Sequence, residues 1–179
     1  MARERFSPAK ALALVGISAA TVECGKLALM ALPNVEVVTL LLALYGYSFG
    51  ALGVAAAVVF VAIEPLIWGF GPWVMTYIIY WPLVALVFWL LRVVRVKSRW
   101  ILSGVAVVLT VFFGIFSSLV DVGLFTGFFD NFFERFAVYY ARGIVFYAVQ
   151  TVSNAVLFPL LFNFLSEKLM KVQRGILLK

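Results

Sequence analysis

Long runs of apolar residues dominate this chain, and short segments that hold most of the charges and prolines separate them. A helix needs about 20 predominantly apolar residues to cross the hydrocarbon core of a bilayer. Four runs meet that length directly, over residues 9–32, 73–91, 100–125 and 137–165. The pattern therefore predicts four membrane-spanning helices before any other region is considered.

The apolar region between residues 35 and 70 has to be divided differently. It is too long for one upright span and short for two, but Gly46, Gly50 and Gly53 interrupt its middle, and glycine marks turns or breaks in helical patterns. We therefore expect a short helix over 35–49 and a second over 51–67. The full prediction is an all-α integral membrane protein, one domain over residues 1–179 built as a bundle of six transmembrane helices.

The composition agrees with lipid as the solvent. Of the 179 residues, 65% are hydrophobic and 12% are charged, whereas a soluble domain has about 45–50% and about 25%. The first run is longer than a signal-peptide core and contains Glu23 and Lys26, so we expect it to be a retained span. Histidine is absent and Cys24 is the only cysteine, which removes the usual zinc, haem and triad chemistry. We expect no metal, no cofactor and no enzymatic activity.

Basic residues cluster where the predicted spans end. With six spans both termini lie on one side, and that side collects Arg3, Arg5, Lys10, Arg92, Arg95, Lys97, Arg99, Lys168, Lys171, Arg174 and Lys179. Lys and Arg are enriched in the cytoplasmic loops of membrane proteins. The charges therefore favour six spans with cytoplasmic N and C termini, and they explain the net charge of +6 without a nucleic-acid partner.

Six ionisable residues within or beside the predicted spans fall in the outer half of this topology. They are Glu23, Lys26, Glu36, Glu64, Asp121 and Arg142. Such groups are costly in lipid and usually face a bundle interior or a cavity. Two simpler interpretations stay open: Glu23 and Lys26, three residues apart, neutralise each other, and Glu36 is a carboxylate at a helix N-terminus.

Helical spacing gathers polar and aromatic side chains onto common faces. The face of the sixth span holds Tyr139, Arg142, Phe146, Gln150 and Ser153, with Asn154 beside it. The fourth span holds Trp73, Tyr77, Tyr80 and Val84, flanked by Trp81, and the fifth offers Ser117 and Asp121. Aromatic walls with a few convergent polar groups are typical of a small-molecule site, although the fourth-span aromatics also fit an interfacial belt.

A stripe of small residues runs along the first span. Its members are Ala9, Ala13, Gly16 and Ala20. Small residues let helices approach closely in lipid, where no hydrophobic force drives association. The stripe therefore predicts either packing within the bundle or docking of a separate membrane protein.

The architecture resembles the substrate-binding S components of energy-coupling factor (ECF) transporters, which are prokaryotic importers of vitamins and other micronutrients. Ala9-x-x-x-Ala13 looks like the alanine motif through which an S component of that family contacts the transmembrane coupling subunit. YGYSFG (45–50) followed by ALGVAAA (51–57) is similar to the family's short second helix, turn and third helix. LPNVE (32–36) occupies the place of the loop that caps the pocket in this family.

The resemblance implies capture of a vitamin-like ligand outside the prokaryotic plasma membrane and transfer to a coupling subunit and two cytoplasmic ATPases. This sequence has no nucleotide-binding P-loop of its own. The residues then assigned to ligand contact are Tyr77, Tyr80, Trp81, Tyr139, Arg142, Gln150 and Asn154, with Glu64 and Asp121 as further candidates, and Asn34 and Glu36 form the gate. An arginine among aromatic rings and carboxylates favours a flat heterocycle that carries an anionic or zwitterionic group.

Three other functions stay open. An independent small-solute transporter or channel needs a polar path through the inner leaflet, where only Ser98, Ser103, Thr110 and the helix ends offer one. An intramembrane enzyme needs a carboxylate such as Glu36 or Glu64 as acid or base, and the chain has no paired-carboxylate motif. The third alternative is a structural or assembly subunit of a membrane complex.

Overall fold

The computed structural model describes residues 6–177, and that part of the chain is helical without a strand. The helices are α1 (Pro8–Ala28), α2 (Val38–Phe49), α3 (Ala51–Trp68), α4 (Trp73–Val93), α5 (Arg99–Thr126), α6 (Phe132–Leu157) and α7 (Asn163–Leu177), and a π-helical turn (Phe158–Phe162) joins the last two. Arg3, Arg5 and Lys179, three of the basic residues assigned to the cytoplasmic side, lie outside the described residues. The all-helical fold class is confirmed.

Within residues 6–177, five helical segments are long and apolar enough to cross a membrane: α1, α3, α4, α5 and the continuous helix from α6 through α7. This number is consistent with a multi-pass membrane protein. The predicted second span is not among these five segments, because α2 has only 12 residues. At 1.5 Å per residue such a helix extends about 18 Å, which is well short of a hydrocarbon core of about 30 Å.

The first and last helices end at other positions than the apolar runs predict. α1 ends at Ala28 and not at residue 32, because turns follow it and Asn34 takes a left-handed conformation with φ of 65°. Pro33 adds to this break, since the residue before a proline avoids the helical region. The last helix begins at Phe132 and continues through α7, so it extends beyond the predicted 137–165 at both ends.

α2 lies at the centre of the bundle. Every residue of this helix is buried except Leu41, which is half-buried, and α1, α3, α4 and α7 all contact it. A helix that is apolar on all faces belongs where all faces are covered. The short second helix is therefore the core of the fold.

Two glycines permit the closest contacts of α2. A Cβ atom on Gly46 would collide with the backbone of Ala85 in α4, and one on Gly53 would collide with the carbonyl of Tyr45. Gly50 has another role, because it is the single residue between α2 and α3 and has a φ of 63°, which glycine adopts readily. Of the three glycines that interrupt this region, only Gly50 forms the turn.

The end of the bundle that holds Gly50 is rich in basic residues, and we call it the basic end. The Tyr47 hydroxyl donates to the Val96 carbonyl over 2.7 Å, and Lys10 Nζ donates to the Ile176 carbonyl over 3.0 Å. The first bond joins the end of α2 to the α4–α5 loop and the second joins the start of α1 to the end of α7, while Asn163 Nδ2 at the start of α7 donates to the Lys97 carbonyl of that loop over 3.2 Å. The basic residues there are Lys10, Arg92, Arg95, Lys97, Arg99, Lys168, Lys171 and Arg174.

The opposite end has a recess because α2 is shorter than its neighbours. α2 ends and α3 begins at the turn around Gly50, and both helices extend from that turn toward the opposite end of the bundle. α3 has 18 residues and α2 has 12. At 1.5 Å per residue, α3 extends about 9 Å further. The neighbouring helices therefore continue past the N-terminal end of α2 and leave a space above it.

Candidate functional site

A cavity of about 570 Å³ occupies the recess above α2, and we call it the main cavity. Small-molecule sites have volumes of about 300–1,000 Å³. The walls come from the end of α1, the α1–α2 loop, the end of α3, the start of α4 and the middle of α6. The sequence-predicted residues that line it are Asn34, Glu36, Glu64, Tyr77, Trp81 and Gln150.

A charged cluster forms one side of the main cavity. Lys26 Nζ in α1 lies 2.6 Å from both carboxylate oxygens of Glu64 in α3, and Glu64 is only 1% exposed. Lys26 Nζ also lies 4.7 Å from the ring centroid of Trp68, whose Nε1 donates to Glu23 Oε1 over 3.2 Å. The expectation that Glu23 and Lys26 neutralise each other is therefore wrong, because Lys26 pairs across the bundle with Glu64.

Glu36 lies at the floor of the main cavity, at the N-terminus of α2. Its carboxylate accepts the backbone N–H of Thr39 over 2.9 Å, the Thr39 hydroxyl over 2.6 Å and Asn154 Nδ2 of α6 over 2.8 Å. Asn154 is fully buried and also donates to Thr110 Oγ1 in α5 over 3.0 Å. The interpretation of Glu36 as a helix-end carboxylate is confirmed, and the same group ties α2 to α5 and α6.

Two buried polar atoms on the cavity wall have no hydrogen-bond partner in the part of the chain that the structure describes. Gln150 Oε1 belongs to a side chain that is 8% exposed, and Trp81 Nε1 to one that is 4% exposed. An unpaired buried donor or acceptor costs about 1–3 kcal/mol. Both side chains line the main cavity, so a bound molecule that reaches these two atoms would satisfy them.

Aromatic rings form a second side of the main cavity. Tyr77 lies edge-to-face with Trp73 and with Trp81, at centroid distances of 5.0 and 5.4 Å. Tyr80 does not line the cavity, because its hydroxyl donates to the Leu109 carbonyl over 3.0 Å in the buried contact between α4 and α5. Adjacent residues of a helix point about 100° apart, so Trp81 reaches the cavity while Tyr80 packs behind it.

Arg142, Tyr139 and Asp121 line a second cavity of about 410 Å³ between α5 and α6. The Tyr139 hydroxyl donates to Asp121 Oδ2 over 3.1 Å, and Arg142 is exposed with no ion pair among residues 6–177. The polar face of the sixth helix is divided because Arg142 and Gln150 lie about 12 Å apart along the helix axis. The expectation of one pocket containing both is wrong, and the main cavity lacks the expected arginine.

Sequence spacing did not assign two of the wall residues, Trp68 and Lys26, to a site. Trp68 lies four residues after Glu64 in α3, and residues four apart share a helix face. That spacing could have identified Trp68. Lys26 could not be found in this way, because its partner Glu64 lies 38 residues away in another helix.

The small-residue stripe of α1 points away from the bundle. Its residues are all exposed: Ala9, Ala13, Gly16 and Ala20. No atom of another element in the described chain lies within 4 Å of a Cβ atom placed on Gly16. A different face of α1, with Val15 and Val22, is buried against the bundle. The stripe therefore does not pack inside the bundle, and it is free to face lipid or another membrane protein.

No family model, no curated protein and no solved structure matches this chain. Function is therefore inferred from the two cavities, the charges around them and the exposed face of α1.

Proposed function

We propose that this protein is the membrane-embedded substrate-binding component of an ECF-type importer and captures a small vitamin-like micronutrient outside the prokaryotic cell membrane. The main cavity is the observation that carries the proposal. It has the volume of a ligand site, aromatic walls, and an unpaired donor and acceptor on Trp81 and Gln150. The resemblance of the spans and of Ala9-x-x-x-Ala13 to S components supplies the class of protein.

The charges favour a main cavity that opens to the outside. Basic residues predominate at the basic end, and acidic residues predominate at the cavity end: Glu23, Glu36, Glu64, Asp121, Asp130 and Glu134. Lys and Arg mark the cytoplasmic side of membrane proteins. The basic end and both termini are then cytoplasmic, Asn34 belongs to the outer entrance, and Glu36 lies below it at the floor of the cavity.

α2 closes the main cavity toward the basic end, which disfavours a channel. Below Thr39 the helix is largely apolar and packed on all sides, with Leu42 and Leu44 at 0% and 1% exposure. Such packing blocks a direct path for a polar solute. Delivery therefore requires movement of the whole component, driven by a partner.

The exposed stripe of α1 suits that partner. Small residues let another helix approach the backbone of α1 closely within lipid, and the sequence has no P-loop with which to hydrolyse ATP itself. We assign Ala9, Ala13 and Gly16 to contact with a transmembrane coupling subunit, which two cytoplasmic ATPases would drive.

Gln150→Leu should weaken retention of a co-purifying small molecule by about tenfold or more, because a leucine removes the buried acceptor and leaves the ligand donor unpaired. Arg142→Ala, in the second cavity, should leave retention unchanged. Native mass spectrometry of each protein purified in mild detergent measures the bound mass. Loss in Arg142→Ala with retention in Gln150→Leu would place the site in the second cavity. If the wild-type protein binds nothing from a micronutrient panel, the proposed function is wrong.

Gly16→Leu should reduce recovery of the coupling subunit and ATPases by about tenfold or more, because the larger side chain separates α1 from the partner helix. Ligand retention should stay at the wild-type level, since Gly16 lies away from both cavities. Affinity purification of this chain from native membranes, followed by quantification of the partner subunits, measures the effect.

Gly104→Leu is the matched control. Gly104 in α5 is also an exposed helical glycine with nothing within 4 Å of an added Cβ atom, and both substitutions raise helix propensity by the same amount. Partner recovery should fall for Gly16→Leu alone. Equal recovery in the two variants would remove α1 as the docking face.

A further inference from the structure

The main cavity has more acidic than basic side chains around it. Glu36 and Glu64 line it, and Glu23 accepts a hydrogen bond from Trp68, which also lines it. Lys26 is the only cation on its wall among residues 6–177. The Lys26 ammonium is already engaged, because both oxygens of Glu64 lie 2.6 Å from it. Two carboxylates therefore have no cationic partner in the described chain.

Helix ends do not reverse this balance. α1 and α3 end at the main cavity while α2 and α4 begin there. The partial negative charges of two helix C-termini and the partial positive charges of two N-termini offset one another. An anionic ligand group would thus face the carboxylates, and Arg142, which has no ion pair among residues 6–177, lies in the second cavity.

The walls of the main cavity are suited to a flat cation. Trp73, Tyr77 and Trp81 present neighbouring aromatic rings in edge-to-face contact. A cation over such a ring is attracted by about 0.5–1 kcal/mol when exposed and about 2 kcal/mol when desolvated. Lys26 over Trp68 shows that this cluster already uses the interaction. Stacking and charge therefore favour the same ligand.

We propose that the main cavity binds a flat heteroaromatic cation that donates an N–H to Gln150 Oε1. This inference rests on the proposed function, and it revises the anionic or zwitterionic ligand that the sequence favoured. Gln150 supplies the buried acceptor without a partner in the described chain, the tryptophan and tyrosine rings supply the stacking surface, and Glu23 and Glu36 supply the charge.

A charge series on one ring system tests the proposal. N-methylquinolinium, quinoline and quinaldate have nearly the same shape and are cationic, neutral and anionic. Isothermal titration calorimetry on the purified full chain in detergent, with empty micelles as the blank, measures their affinities. We expect the cation to bind about tenfold or more tightly than quinoline, and quinaldate to bind most weakly. Equal affinities, strongest binding of quinaldate, or no binding of any member would overturn the proposal.

Variants then assign the preference to residues. Glu23→Gln should reduce the ratio of cation to neutral affinity several-fold, while Asp121→Asn in the second cavity should not change it. An amino group on the quinolinium ring should improve affinity in the wild type and not in Gln150→Leu. An unchanged ratio in Glu23→Gln, or an amino advantage that persists in Gln150→Leu, would contradict the assignment.

The outcomes also separate this inference from the proposed function. If quinaldate binds best while Gly16→Leu still loses its partner subunits, only the ligand class is wrong. If the cation binds best and no partner subunit is recovered with the wild type, the cavity chemistry stands and the importer assignment fails.

Discussion

Gly46→Ala should reduce the stability of the bundle by about 3 kcal/mol, at the upper end of the usual cost of overpacking. The added methyl group would collide with the backbone of Ala85 in α4. Because the colliding atoms belong to the backbone, no change of side-chain rotamer relieves the collision. α4 therefore has to shift away from the buried centre of the fold. The apparent melting temperature in detergent and the yield of monodisperse protein measure the loss.

Gly104→Ala separates this collision from the general effect of replacing glycine. Gly104 is exposed, and an added Cβ atom meets nothing within 4 Å. Alanine favours a helix over glycine by about 1 kcal/mol, so this variant should be as stable as the wild type or slightly more stable. Wild-type stability of Gly46→Ala would show that α2 and α4 are not as close as the structure places them.

The collision also affects the main cavity, because one helix builds both. α2 is the buried centre of the bundle, and its short length leaves the recess above Glu36. A shift of α4 moves Tyr77 and Trp81 relative to that floor. Gly46 therefore connects packing at the centre of the fold to the shape of the site, although it does not line the cavity.

The sequence predicted the helices well and their arrangement poorly, and lipid explains the difference. Gly50 marked the turn between α2 and α3, and the apolar runs located the other helices. Apolar residues face both lipid and protein in a membrane protein, so periodicity cannot show which helix is central. By hydropathy alone, the buried leucines of α2, such as Leu42, cannot be distinguished from exposed residues of α1, such as Leu12 and Ile17.

For the same reason, the sequence predicted only part of the candidate site. Charge placement pointed to the end of the bundle where Glu36 and Glu64 line a cavity, and spacing selected Tyr77 and Gln150, which line the same cavity. The face that a helix shows to its neighbours changes along its length. Arg142 therefore lines a different cavity although it shares a stripe with Gln150. That change depends on tertiary packing, which local spacing does not encode.

Lys26→Met should destabilise the protein by about 1–3 kcal/mol, the usual cost of leaving a buried acceptor without its donor, because the Lys26 side chain is 29% exposed and only Glu64 is fully buried. Glu64 is 1% exposed, and both of its oxygens lie 2.6 Å from Lys26 Nζ. Methionine preserves the length of the side chain and leaves this carboxylate buried without a cation. The contact between α1 and α3 should weaken first. Chemical denaturation in detergent, followed by tryptophan fluorescence, measures the change.

The double variant Lys26→Met/Glu64→Met should recover most of the lost stability, because apolar side chains of similar volume can replace an ion pair with a buried carboxylate at little cost. Lys171→Met, at an exposed position of the basic end, should have no effect beyond about 0.5 kcal/mol. If the double variant is as unstable as the sum of the single variants, the two side chains do not interact. If it is stable and still binds N-methylquinolinium, the ion pair holds α1 to α3 and Glu23 and Glu36 suffice to attract the ligand.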